Sequence, residues 1–244
     1  MNNLILTNEQ NGVLTISLNR IDKKNALNSE MYSQLIDAFN QATSSDSVRC
    51  VLIQGNSNCF CAGNDLQDFM ENADNLVAFD FIKVLGEFNK PLVAAVAGPA
   101  VGIGTTLLLH CDMVVAANNS KFKLPFTQLG LCPEAASSYL LTQRVGYNRA
   151  FELLVLGDLF LADDAEKYGI VNKVTSPEDL LDTANSIATK IASLPNEAVK
   201  ASHQLIRNAT QSTMMDAMAT EAKEFARLVK TPECKAILQS FFQK

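Results

Sequence analysis

The chain has 244 residues, 48% of them hydrophobic and 19% charged, and a formal net charge of −6. That much apolar material supports a substantial core, and the acidic balance argues against nonspecific nucleic-acid binding. Six irregularly spaced cysteines and two histidines make neither a disulfide framework nor a metal-ligand pattern, so the cysteines read as reduced, small core residues of a cytoplasmic protein.

Met1–Gln10 carries no basic segment ahead of its three-residue apolar run and does not read as a signal peptide. Val13–Leu18 alternates and is rich in β-branched residues, which predicts a strand. Residues 28–39 place Met31, Leu35 and Phe39 on one helical face, with Asn28 or Ser29 as N-cap. Cys50–Gln54 reads as a short buried strand, Leu76–Phe88 as a helix, and Leu92–Val96 as a second buried strand. Glycines and Pro99 interrupt the apolar stretch at 92–109, which excludes a membrane span there. A helix is expected from Thr105, a buried strand at Met113–Ala116, and helices at Pro133–Val145 and Asn148–Leu156. Beyond Glu178 only helical patterns appear, at 180–193, 196–209 and 214–230. Alternating buried strands and helices point to an α/β fold with largely parallel sheets. The C-terminal Phe-Phe-Gln-Lys is not a Ser-Lys-Leu type of peroxisomal address.

Two glycine-bearing loops stand out. Gly98–Thr106 fails the dinucleotide fingerprint, because Leu107 stands where the third glycine belongs. What remains is a strand–loop–helix whose first N–H groups either favour a negative oxygen or simply allow close packing. Phe60–Leu66 has the same layout, with Asn64 or Asp65 as a possible cap. One N–H from each loop could form an oxyanion hole.

Between Phe88 and Phe151 the chain carries only two acidic side chains, Asp112 and Glu134, of 26 in all. Glu134 lies among small and apolar neighbours. It is either an exposed helix-start residue after Pro133 or a buried base whose pKa burial raises and the helix dipole lowers. No Gly-x-Ser-x-Gly elbow is present, and His110 and His203 lack a partner pattern.

Four segments in order, Leu18–Asn28, Phe60–Leu66, Lys90–Gly104 and Ala162–Asn172, resemble the crotonase (enoyl-CoA hydratase/isomerase) superfamily over essentially the whole chain. The resemblance implies a crotonase-fold core of ββα units wound in a spiral over residues 1–195. It implies a C-terminal helical region over 196–244 that builds homotrimers or hexamers. It implies an acyl-CoA thioester as substrate, with CoA part of that substrate rather than a separate cofactor, and no metal. By motif position, the oxyanion donors would be the N–H groups of Asn64 and Ile103. The CoA and acyl path would be lined by Ala26, Ala62, Gly63, Asp65, Leu66, Gly102 and Phe126, with Lys23, Lys24 and Lys230 as candidates for its phosphates.

Hydratases of the family use two glutamates, and the matching positions here hold Thr106 and Phe126. Glu134 instead falls where the peroxisomal type of Δ3,Δ2-enoyl-CoA isomerase carries its single catalytic glutamate. The resemblance therefore implies an isomerase with Glu134 as lone base. Another crotonase-type reaction (hydration, hydrolysis or decarboxylation) and a noncatalytic acyl-CoA binder are the alternatives.

Overall fold

Asn11 and Gly12 both adopt positive φ, 54° and 77°, which is the turn that suits the right-handed twist of a two-residue hairpin. They join β1 (Ile5–Gln10) to β2 (Val13–Leu18) in antiparallel register. The structure is a computed structural model that describes residues 3–72 and 77–240. No strand is predicted before Val13, because β1 buries only Ile5 and shows no alternation. Its readable signal is the Asn-Gly pair.

The chain continues through α1 (Ser29–Ser44), β3 (Cys50–Gln54), α2 (Leu66–Glu71), α3 (Val77–Glu87), β4 (Leu92–Val96), β5 (Pro99–Val101) and α4 (Ile103–Thr106). Next come β6 (Met113–Ala117), β7 (Lys121–Lys123), α5 (Ser137–Val145), α6 (Tyr147–Phe151), β8 (Phe160–Leu161), α7 (Ala162–Lys167) and β9 (Lys173–Thr175). The tail is α8 (Leu180–Ser193), α9 (Asn196–Asn208), α10 (Gln211–Leu228) and α11 (Pro232–Ser240). Asn28 caps α1 by accepting from the Met31 N–H at 2.9 Å. Leu76, where a helix is predicted to begin, lies outside the described residues.

The larger sheet has strand order β1-β2-β3-β4-β6-β9 and is parallel from β2 onward. The smaller sheet runs β5-β7-β8. β4, β5 and α4 form one strand–strand–helix turn, and β6, β7 and α5 form the next. This is the spiral of ββα units that the resemblance implies, in an α/β fold with C-terminal helices. The smaller sheet is not legible in the sequence because its strands are two or three residues long, too short for a period.

Every residue of β4 is buried, since both sheet faces are covered. Val93 and Ala95 face Leu180, Ala184, Ala188 and Ala192, which repeat every four residues along α8 and allow a close helix–sheet approach. Ala94 and Val96 face the other core, with α1 and α3. There Phe39 meets Phe81 and Phe88 edge-on, with centroids 5.9 and 4.9 Å apart. Truncating Phe39 to alanine would cost about 3–5 kcal/mol. Among the described residues, no helix is long and apolar enough to cross a membrane.

Candidate active site

The two glycine loops are sewn together by backbone bonds. Cys61 N–H donates to the Pro99 oxygen at 3.0 Å, and Val101 N–H donates to the Cys61 oxygen at 2.9 Å. On its other side the first loop pairs with Leu27, whose N–H reaches the Gly63 oxygen and whose oxygen accepts from Asp65 N–H, both at 2.8 Å. That pairing uses residues 63 and 65 and leaves the Asn64 N–H outside it. Ile103 opens α4 after Gly102, so its N–H has no intrahelical acceptor. Among the described residues, neither of these two N–H groups donates a hydrogen bond.

Close approach is what the glycines permit. A Cβ on Gly104 would lie 2.7 Å from the Cys61 carbonyl oxygen. Gly63 has φ +98° and would place a Cβ 3.1 Å from the Val101 oxygen.

Tyr32, on α1, donates from its hydroxyl to Asn64 Oδ1 at 2.5 Å and holds the first loop from below the core. Burial, and then the charge of Glu134, push its phenol well above the usual range, so it remains a donor. In the sequence its one signal is a tyrosine adjoining the apolar face of a helix, where a buried hydroxyl needs an acceptor.

Glu134 is 3% exposed, which excludes the exposed helix-start reading. Its Oε1 accepts from Thr106 Oγ1 at 2.5 Å. Burial pushes its pKa up from 4.5 to about 8; the Thr106 hydrogen bond opposes the rise, and the charge of Glu221 adds to it. The predicted helix at Pro133–Val145 is corrected to α5 at Ser137–Val145. Ala135 and Ala136 take left-handed φ, 57° and 55°, which cannot continue into a right-handed helix. Glu134 therefore sits on a turn ahead of the helix. The turn is held by Ser137 N–H to the Glu134 oxygen at 3.0 Å and by His110 Nε2–H to the Ala135 oxygen at 2.7 Å. Burial holds the His110 pKa down to about 4, so the ring is neutral.

A cavity of about 250 Å³ adjoins this cluster. Ala62, Gly63, Asn64, Leu66, Gly102 and Phe126 are among the residues that line it. Phe69 and Phe225 add an apolar wall, edge-on at 5.8 Å. Ile103 and Glu134 do not line it; Ile103 directly follows the lining Gly102, and Glu134 comes three residues after the lining Leu131. Ala26 and Asp65 also stand outside and serve the frame. Arg20 Nη1 donates to Asp65 Oδ2 at 2.7 Å and to the Ala26 oxygen at 2.9 Å, and Asp65 caps α2. Partial burial raises the Asp65 pKa, but the Arg20 bonds and the cap outweigh it and hold the carboxyl below its usual value.

The six cysteines are all free. Cys61, beside the loops, has its pKa pushed up to about 12 by burial and is no thiolate nucleophile.

A profile of the Enoyl-CoA hydratase/isomerase family matches residues 8–244. The chain belongs to this family. Among its relatives, 2,3-dehydroadipyl-CoA hydratase of Escherichia coli (strain K12) is 33% identical over 249 residues, covering 100% of this chain and 97% of that protein. Enoyl-CoA delta isomerase 2 of Rattus norvegicus is 35% identical over 247 residues, covering 97% of this chain but 63% of that longer protein. The crystal structure of an enoyl-CoA hydratase/isomerase from Pseudoalteromonas atlantica T6c superposes with a TM-score of 0.94 at 38% identity, over 99% of this chain and 97% of that one. As a member of the enoyl-CoA hydratase/isomerase family, the chain is an enzyme acting on CoA thioesters.

Proposed function

We propose that the chain is a Δ3,Δ2-enoyl-CoA isomerase, converting 3-enoyl-CoA to trans-2-enoyl-CoA in fatty-acid β-oxidation. The observation that carries the reading is the buried Glu134 carboxyl, its pKa raised to about 8, whose one side-chain hydrogen-bond partner among the described residues, Thr106, occupies a hydratase acid position. The other acid position holds Phe126, an apolar wall of the cavity.

In this reading the thioester oxygen rests on the Asn64 and Ile103 N–H groups. Glu134 removes a proton from C2, the C–H electron pair becomes a C1=C2 bond, and the carbonyl pair moves onto the oxygen, giving a dienolate conjugated with C3=C4. The protonated Glu134 then returns the proton to C4 on the same face: the C3=C4 pair takes the proton, the C1=C2 pair becomes C2=C3, and the thioester carbonyl re-forms. One base serves both carbons, so no second acid is needed. Oxyanion donors of this kind contribute roughly 2.7–4 kcal/mol each to the transition state. The cavity residues hold the acyl chain and exclude water. Lys23 and Lys24, exposed beside the first loop, and Lys230 are the candidates for the CoA phosphates.

The exposed apolar residues Tyr147, Phe151, Leu156, Leu159 and Leu161 support self-association, for which a trimer or hexamer is the expected state. Hydration is the second reading, favoured by a hydratase relative of similar identity. Following absorbance of the conjugated thioester separates the two. An isomerase gains it from 3-enoyl-CoA, whereas a hydratase loses it from 2-enoyl-CoA, and turnover of the second substrate alone would discard the isomerase.

A further inference from the structure

The N-cap of helix α5 is an alanine, Ala136, which has no side-chain oxygen to cap the first turn. The missing acceptor comes from the tail. Glu221, on α10 and 7% exposed, accepts the Ser138 N–H through Oε1 at 2.8 Å. Its Oε2 is buried without a hydrogen-bond partner among the described residues, as is the neighbouring Ser137 hydroxyl. A carboxylate is thus drawn out of solvent, 87 residues along the chain from Glu134, to the helix that begins three residues after it.

We propose that Glu221 is a positioning residue for Glu134: it anchors the turn that presents the base, and its charge acts on the base's carboxyl. This rests on the reading of Glu134 as the base. Burial raises the Glu221 pKa, while its bonds at the start of α5 oppose that rise by favouring the charged form. Its like charge then makes Glu134 hold its proton longer. The other titratable groups around the base, among the described residues, are Tyr32 from α1, Cys61 from the first loop and His110 bonded to the same turn, all kept neutral by burial. On the outer side, Cys132 faces Glu221, and Asp216 and Glu224 line the adjoining surface cleft. The link ties the catalytic turn to the helical tail, so displacement of α10 would reach the base.

The test is Glu221→Gln, which keeps an acceptor for Ser138 but removes the charge. Carboxyl-carbon NMR titration of the whole enzyme, with the Glu134 signal assigned through Glu134→Gln, should show Glu134 titrating at lower pH than in the parent. The lower limb of the pH–kcat profile should move the same way, with KM little changed. An unmoved Glu134 titration overturns the proposal. Should that variant not fold, Glu221→Asp carries the test by withdrawing the carboxylate from Ser138. There kcat should fall roughly 10- to 100-fold with KM retained, and an unchanged kcat overturns the proposal. If Glu134→Gln itself keeps turnover, the assignment of the base fails while the titration still reads the coupling, so the two failures are distinct.

Discussion

Ala94 and Ala136 are both 0% exposed, yet they occupy opposite kinds of backbone. Ala94 sits in β4, where residue type, alternation between the two cores and ladder bonding all agree. Ala136 sits in the turn after Glu134, in a left-handed conformation, beside a second left-handed alanine and a buried carboxyl. Backbone of this kind costs on the order of 1–3 kcal/mol per residue and persists only where its surroundings over-determine it. Here those surroundings are Thr106, His110 and Glu221, from three separate elements. The contrast teaches that local preferences are obeyed in the sheet and set aside where the base is presented.

The sharpest way to break this contrast is Glu134→Gln. It should reduce isomerase kcat about 10²- to 10⁴-fold while leaving CoA-ester binding intact, as read by thioester absorbance and equilibrium binding. Near-full activity would remove the site from the turn altogether. Gly104→Ala follows, since its methyl would press on the Cys61 oxygen and move the Ile103 N–H. If one oxyanion donor is displaced, kcat should drop about 10²- to 10³-fold with a loss of thermal stability.

The raised pKa of Glu134 also has a stability consequence. The unfolded carboxyl ionises near 4.5 and the folded one near about 8, so across that interval the unfolded state holds fewer protons. Stability should therefore fall by roughly 1.4 kcal/mol per pH unit as pH rises through the interval, levelling off above it. Glu134→Gln should remove this slope, so denaturation midpoints of parent and variant should diverge steadily between the two values. Parallel curves would mean that the carboxyl is solvated.

Thr106→Val has a smaller expected effect. It removes the hydrogen bond that favours the carboxylate, so the Glu134 pKa should rise further and the lower limb of the pH–kcat profile should move to higher pH. A hydrogen bond to a charged group is worth about 1.5–3 kcal/mol, and a shift to lower pH would contradict the geometry. The smallest effect tests the opening contrast itself. Ala94→Gly and Ala136→Gly delete the same buried methyl, but only the second relieves left-handed strain. Ala136→Gly should be the less destabilising by about 1–2 kcal/mol in denaturant titrations, and equal losses would mean that the turn is unstrained.

Much of the frame was legible along the chain. The long buried strands and α1 with its Asn28 cap follow from periodicity and capping chemistry, which act over a few residues. The short strands of the second sheet were not, because strands of two or three residues exist only through pairing with distant partners. The start of α5 departs from its local signal for a related reason. Pro133 followed by Glu134 satisfies the local rule for a helix start, but His110 and Glu221 hold the next residues in a different path. Tyr32 escaped notice because its acceptor, Asn64, is 32 positions away.

By itself, the sequence determined that this region contains one lone glutamate, that acids are absent at positions 106 and 126, and that two glycine loops flank it. Residue identity decides which groups exist to carry a proton. Only the tertiary structure decided that Glu134 is buried, that Thr106 bonds it, and that burial outweighs the pull of that bond on its pKa. Desolvation depends on everything packed around the carboxyl, and those groups come from positions 32, 61, 106 and 221 as well as from its own turn.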